Sequence, residues 1–353
     1  MPLNVRIRKR YGDFSLNVDF SAEPGEALAL LGASGCGKST TLKCIAGIHR
    51  PDWGRIELNG ETLFDSEKKI DLPPQKRRIG YLFQQYALFP NMTVEQNITA
   101  CLRRLDRNKR RERARELIFL LRLEGTENLR PAQLSGGQQQ RTALARILAS
   151  EPLAILLDEP LAALDSFLRG QLEPELRDVL AQFGGPAVWV SHDRGEVYRN
   201  CRRVCVLTDG TSAPACGVKD LMAAPRTVSA ARLSGCGNYV PVRPGPRPGT
   251  VEVPAWKLTL EAAAPWREGV TVLGIRENRV HPAEDGTVNT FLCRTVRVAE
   301  DVSAMLIDLR PEGAAADAPL LRMELDKKTW ESLSDQKNVC VTVRPENLLL
   351  LEE

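Results

Sequence analysis

Eight consecutive residues, Gly32-Ala33-Ser34-Gly35-Cys36-Gly37-Lys38-Ser39, combine small side chains with one amine and one hydroxyl. They fit the pattern G-x-x-x-x-G-K-[ST]. Glycines let backbone N–H groups converge on phosphate oxygens without side-chain obstruction. The flanks supply the right setting. Residues 27–31 are a short apolar run, as in a buried strand, and residues 39–48 read as a helix. The start of that helix adds a partial positive charge. In such a turn Lys38 reaches the β- and γ-phosphates of a nucleotide, the Ser39 hydroxyl ligates Mg²⁺, and Thr40 follows in the same turn. A glycine-rich turn with no ligand is the bland alternative, and a full match between strand and helix disfavours it.

Leu156-Leu157-Asp158-Glu159 supplies the complementary chemistry. A carboxylate at the end of a buried strand can face the phosphate loop. Asp158 is expected to help hold Mg²⁺, and Glu159 to polarise the attacking water as general base. Two acids after an apolar strand are, alone, more often a solvated strand end. The phosphate loop changes that balance.

Between these two motifs lies Leu134-Ser135-Gly136-Gly137-Gln138, followed by Gln139, Gln140 and Arg141. Ser135 can cap the following helix, and the glycines allow close approach of a phosphate. With this segment the chain resembles the ATP-binding cassette family, whose signature it matches. The resemblance covers most of residues 1–230 and extends to further positions. Tyr11 stands where the family stacks an aromatic ring on adenine. Gln84, in Tyr81-Leu82-Phe83-Gln84, matches a nucleotide-sensing glutamine that touches the permease and lies by the metal. Leu164-Asp165 resembles the loop that crosses the dimer. In Ser191-His192-Asp193, His192 matches the γ-phosphate-sensing histidine. The resemblance implies a homodimer in which ATP with Mg²⁺ lies between the phosphate loop of one subunit and Ser135, Gly136, Gly137 and Gln138 of the other.

It also implies two integral-membrane permease subunits, an indirect link to an extracytoplasmic solute-binding protein, and a place on the cytoplasmic face of the cell membrane. Residues 70–81, 86–90 and 233–238 look like molybdate importer ATPases. The expected function is therefore the ATP-hydrolysing subunit of an oxyanion importer, with molybdate as cargo. Sulfate importers share much of the pattern, and other importers remain open. Soluble cassette ATPases of DNA repair or translation usually carry two cassettes or long coiled coils. One phosphate loop, one signature and no sustained heptads disfavour them. One departure from the family is local: Arg199-Asn200-Cys201 lacks its common Ala-Asp.

Positioning these residues requires strands that alternate with helices, hence a sheet covered on both faces. The expected class is α/β: a P-loop NTPase cassette with a mostly parallel sheet and a helical subdomain, plus a small C-terminal β-barrel. Residues 1–232 are read as the ATPase domain. Residues 233–267 are read as a linker, because Pro241, Pro244, Pro246, Pro248 and Pro254 crowd that stretch. Residues 268–353 carry short β-like runs and resemble the oxyanion-associated domain of such importers.

Composition bounds the partners. Lys and Arg number 48 against 45 Asp and Glu, a net charge of +3 in 353 residues. That excess is too small for a nucleic-acid partner. The basic run Arg103-Arg104, Arg107, Lys109-Arg110-Arg111, Arg113 and Arg115 is interrupted by acids and reads as a solvated helix face. No apolar run approaches the roughly 20 residues that cross a bilayer, and residues 1–5 do not resemble a secretory leader. The nine cysteines lack paired metal-ligand spacing and read as reduced cytosolic thiols.

Overall fold

Alternation of apolar and polar side chains lays down the first two strands. In β1 (Leu3–Tyr11), Leu3, Val5 and Ile7 point inward; in β2 (Phe14–Ala22), Leu16, Val18 and Phe20 do. The two pair antiparallel from Leu3–Ala22 to Tyr11–Phe14. The computed structural model describes residues 2–102, 105–162, 164–283, 288–333 and 336–353. Arg103 and Arg104 of the basic run lie outside them. The chain divides into two units, Met1–Lys219 and Asp220–Glu353.

In the first unit β3 (Ala27–Leu31) leads through the glycine-rich turn into α1 (Lys38–Ala46). A meander follows: β4 (Trp53–Leu58), β5 (Glu61–Asp65) and β6 (Ile70–Asp71). Asn59 and Gly60 join β4 to β5 with φ of 54° and 83°, the double left-handed turn that an Asn-Gly pair favours. β7 (Ile79–Leu82) then precedes three helices, α2 (Val94–Thr99), α3 (Arg107–Leu120) and α4 (Gly136–Ala149). α3 buries Ala114, Leu117 and Ile118 and turns its basic side chains outward, so the solvated-face reading holds for the described part.

β8 (Ala154–Asp158), α5 (Ser166–Phe183), β9 (Ala187–Ser191), α6 (Arg194–Asn200), β10 (Arg203–Thr208), β11 (Thr211–Ser212) and β12 (Cys216–Gly217) complete the unit. The sheet runs β6-β5-β4-β1-β2-β11-β10-β3-β9-β8-β7, with β12 beside β10. From β10 to β7 all pairs are parallel. Their strands are apolar on both faces, as a covered parallel sheet demands: every residue of β8 and β9 is buried. The antiparallel meander extends this parallel core, so the whole sheet is mixed.

After α7 (Val218–Ala223) and α8 (Val228–Leu233), the second unit is strand-rich. β13 (Asn238–Pro241), β14 (Arg243–Pro244), β15 (Thr250–Val253) and β16 (Leu258–Glu261) occupy the stretch read as a linker. That reading is corrected: Val240, Val242, Val251, Val253, Trp256 and Leu260 are buried in the core of the unit. The prolines punctuate short strands here instead of keeping the chain extended in solvent. β17 (Val270–Ile275), β18 (His281–Pro282), β19 (Thr290–Glu300), β20 (Met305–Pro311), β21 (Leu321–Leu325), α9 (Lys327–Glu331), β22 (Asn338–Thr342) and β23 (Leu349–Glu352) follow. They form three sheets: β13-β17-β23, β14-β15-β16 and β18-β22-β19-β20-β21.

Arg77 is the largest charged group inside the first unit, with 1% of its surface exposed. Its guanidinium donates to the carbonyls of Cys44 (2.9 Å) and Ile45 (2.8 Å) at the end of α1, to Leu72 O (2.7 Å) and to Asp71 Oδ1 (2.9 Å). A helix leaves its last carbonyls without partners, and a cation there also complements the dipole. Gly47, with φ of 80°, ends α1 where a Cβ would strike Arg77 Nε at 2.5 Å. Replacing Arg77 by Ala takes this donor from Ile45 O and Leu72 O and leaves Cys44 O only Gly47 N. Arg77→Ala should lower unfolding stability by about 3 kcal/mol or more, read from urea unfolding of the full chain.

Candidate functional site

The phosphate loop lies between β3 and α1. Gly32 cannot carry a side chain: a Cβ would meet Leu207 O at 2.3 Å. Gly37 caps α1 with φ of 105°, and no side chain occupies the cap. The first amides of α1 thus have no side-chain cap, which suits an anion. Lys38 is buried and its Nζ donates to Gly32 O and Ala33 O, both at 2.8 Å. The amine sits over the loop that the sequence pattern assigned to phosphates. Ala33, Ser34, Gly35 and Cys36 complete the turn, with Gly35 at φ 81°.

Parallel strands bring the remaining groups to this end of the sheet. Ser39 Oγ donates to Asp158 Oδ1 at 2.8 Å. The Tyr81 hydroxyl donates to Asp158 Oδ2 at 2.8 Å. Burial, then the charge of Asp158 and this bond, push the Tyr81 phenol upward. Glu159 follows in the left-handed region, φ 49°, with its N–H donating to Val190 O at 3.0 Å. Such strain in a non-glycine residue persists only where the surroundings enforce it, and it clusters at functional sites. Gln84 Nε2 lies 3.4 Å from Glu159 Oε2, and His192 Nδ1 lies 3.4 Å from Glu159 Oε1. Gln84 was also expected at the metal; here its hydrogen bond goes to Glu159.

The loop that carries His192 is pinned from beneath. Glu196 is buried and accepts from Trp189 Nε1 (2.6 Å) and Ser191 Oγ (2.9 Å), while burial raises its carboxyl. Asp193 caps α6. Arg169 of α5 reaches both Asp193 Oδ2 and Leu164 O at 3.4 Å, and so bridges the two loops. Asp165 caps α5. Arg199 and Asn200, the departure from the family pattern, both bind Glu173 of α5. Tyr11 is 40% exposed and shares a hydrogen bond of 2.7 Å with His49 Nδ1. Burial, then Lys43 and Lys9, lowers the His49 pKa.

Ser135 and Gln138 form a capping box: Ser135 Oγ accepts from Gln138 N at 3.3 Å, and Gln138 Oε1 accepts from Ser135 N at 2.9 Å. Those bonds close on the motif itself. Gly136 and Gly137 open α4 beside Leu164 and Leu172. The structure thus gathers Lys38, Ser39, Asp158, Glu159, Gln84 and His192, while the signature bonds elsewhere. Tyr81, Arg169 and Glu196 are the residues that the sequence reading missed as supports of the site; only their bonding partners reveal them.

The profile of the ABC transporter family matches residues 16–162. The molybdenum import ATP-binding protein ModC of Rhizobium etli is 35% identical over 344 residues, 88% of this chain and 96% of that protein. This chain belongs to the ATP-binding cassette transporter ATPases. The corresponding protein of Paramagnetospirillum magneticum is 39% identical over 63% of this chain. That match spans 61% of the relative, somewhat under two thirds of its length. A dimeric cassette in a post-hydrolysis state, bound to ADP and Pi, superposes with a TM-score of 0.53 at 31% identity, covering 62% of this chain and 99% of that one. As a member of the family the chain is an ATP hydrolase.

Within this cassette the Gln84 loop is held under strain. Tyr86 and Ala87 both have positive φ, 56° and 47°. Arg146 of α4 donates to Ala87 O (2.7 Å) and Tyr86 O (3.2 Å) and lies 5.3 Å over the Phe89 ring. The signature helix therefore grips the Gln84 loop directly. In Arg146→Ala these two bonds, together worth about 1.5 kcal/mol or more, are lost. Amide hydrogen exchange at residues 85–89 should accelerate by about tenfold, with α1 unaffected.

Proposed function

We propose that this cassette is the ATP-hydrolysing subunit of an importer. It works as a homodimer on the cytoplasmic face of the cell membrane, with two permease subunits and, through them, an extracytoplasmic solute-binding protein. One observation carries the reading: the loop, the acids and His192 meet at one end of the sheet, while Ser135 and Gln138 close on each other. A second subunit's signature would complete the nucleotide site. Among the described residues no helix is long and apolar enough to cross a membrane; in this reading passage through one is assigned to partners.

The residues fit ATP and Mg²⁺. Ser39 Oγ and Asp158 Oδ1 stand 2.8 Å apart, a pair of hard oxygen donors suited to a hard divalent cation. They would hold Mg²⁺, which neutralises charge on the β- and γ-phosphate oxygens. Gln84 could join them by swinging away from Glu159. Lys38 would exchange Gly32 O and Ala33 O for phosphate oxygens, and Ser34 to Thr40 would bind phosphates through backbone and hydroxyl groups. Tyr11 would stack on adenine. Glu159 would take the proton of the attacking water, with Gln84 and His192 fixing its carboxylate and sensing the γ-phosphate. Closure of the dimer and release of products would convert binding energy into motion of the permease.

The proposed cargo is an oxyanion, molybdate foremost. Support comes from residues 70–81, 86–90 and 233–238 and from the strand-rich second unit. The first of these segments also serves the fold, because Arg77 lies in it and caps α1. Relatives named for Fe³⁺, sulfate/thiosulfate and spermidine/putrescine import are comparably similar, at 40%, 38% and 37% identity. A sulfate or other solute importer is therefore the second reading.

Glu159→Gln should retain ATP binding and lose hydrolysis by ~10²–10⁴-fold, measured as phosphate release. The variant should accumulate as an ATP-bound dimer on gel filtration, and adding Ser135→Arg should return it to monomer. A verified monomer that hydrolyses at the full rate would exclude the shared site. For the cargo, the test is ATPase stimulation of the chain reconstituted with its permease and binding protein. Molybdate should stimulate several-fold; stimulation by sulfate alone would move the assignment to the second reading.

A further inference from the structure

Asp158 enters the site with both carboxylate oxygens engaged. Ser39 Oγ donates to one and the Tyr81 hydroxyl to the other, each at 2.8 Å. Asp158 is 6% exposed as a residue; its bond to Tyr81 is buried, and its bond to Ser39 is partly so. Tyr81 reaches it because β7 and β8 are parallel neighbours, with Tyr81 opposite Leu156 and Leu82 opposite Leu157. A side chain as long as tyrosine spans the two further residues to the end of β8. The Phe83 ring lies 4.2 Å away, centroid to centroid, and limits rotation of the phenol. Tyr81 is itself 9% exposed, and its hydroxyl has this single bond among the described contacts.

We propose that Tyr81 is a positioning residue for Mg²⁺: its hydroxyl fixes the plane of the Asp158 carboxylate so that Oδ1, beside Ser39, is the oxygen presented to the cation. The proposal rests on the reading of Asp158 as a metal holder. Its physical content is orientation. A carboxylate whose Oδ2 is held by a neutral donor is biased against turning that oxygen toward a cation, so it would serve as a one-oxygen ligand or bond a metal-held water. That matches the octahedral demands of Mg²⁺ better than a chelating carboxylate, which suits larger ions. Support of a ligand by an outer hydrogen bond commonly governs metal affinity by 10–100-fold. Tyr81 also stands three residues before Gln84 on the same short segment. The group that orients the metal ligand and the group that touches Glu159 are therefore carried by one piece of chain.

The experiment is calorimetric and needs no turnover. ATP affinity of the full chain is measured with saturating Mg²⁺ and again with EDTA, and the ratio reports what the metal adds. In Tyr81→Phe, which keeps the ring, this ratio should fall by about tenfold, while ATP affinity in EDTA stays unchanged. Tyr81→4-aminophenylalanine, which restores a donor, should recover the ratio. Asp158→Asn is the control for the underlying reading. If Asp158→Asn keeps the full ratio, Asp158 does not hold the metal and the proposal falls with it. If Asp158→Asn loses the ratio but Tyr81→Phe stays within twofold of the parent, the hydroxyl only satisfies its own burial and the proposal alone is overturned. An equal loss with and without Mg²⁺ likewise assigns Tyr81 a purely structural part. Urea unfolding checks that Tyr81→Phe is folded; if it is not, Tyr81→4-fluorophenylalanine fills the space of the hydroxyl without donating and takes its place.

Discussion

The bond from Ser39 to Asp158 spans 119 residues of sequence and joins the helix after the phosphate loop to the neighbouring strand. Everything else at the site is arranged around that junction. It exists because β3, β9 and β8 are parallel neighbours, so the loops that follow them open on the same side. The first leads to Lys38 and Ser39, the second to His192, and the third ends in Asp158 with Glu159 next. The register is held by strands buried on both faces, where a shift would move apolar side chains and leave backbone groups unpaired.

Buried polar side chains then fix what the sheet alone leaves loose. Arg77 holds the end of α1, Glu196 holds the loop before α6, and Tyr81 holds Asp158. Each is costly to bury and each is bonded, the condition under which burial of polar groups is tolerated. Some of the strained backbone lies near the site, and some lies elsewhere among the described residues. Glu159, Tyr86 and Ala87 all have positive φ, and none is glycine.

The second unit follows a different logic. Its core is assembled from short strands in three sheets, and the stretch 240–262 supplies a large part of it, including the buried Trp256 whose Nε1 donates to Pro319 O at 2.7 Å. The proline-rich composition of that stretch argued for an extended connector. Proline is compatible with strand ends and edges, and there the apolar residues between the prolines decided the outcome.

The sequence by itself made legible the motifs that depend on contiguous residues. A phosphate loop is built from adjacent amides, an amine and a hydroxyl, so Gly32 to Ser39 could be read directly, as could the capping segment at Ser135 and the acids after β8. Strand positions in the sheet core were legible for the same local reason, since continuous apolar runs leave few alternatives. Only the tertiary structure decided which distant groups complete them. Nothing in the order of residues says that Tyr81 bonds Asp158, that Arg77 ends α1, that Arg146 grips the Gln84 loop, or that residues 238–261 carry four short strands. Those outcomes depend on strand order and register, which are set by how the whole apolar surface packs and not by the propensity of any one segment.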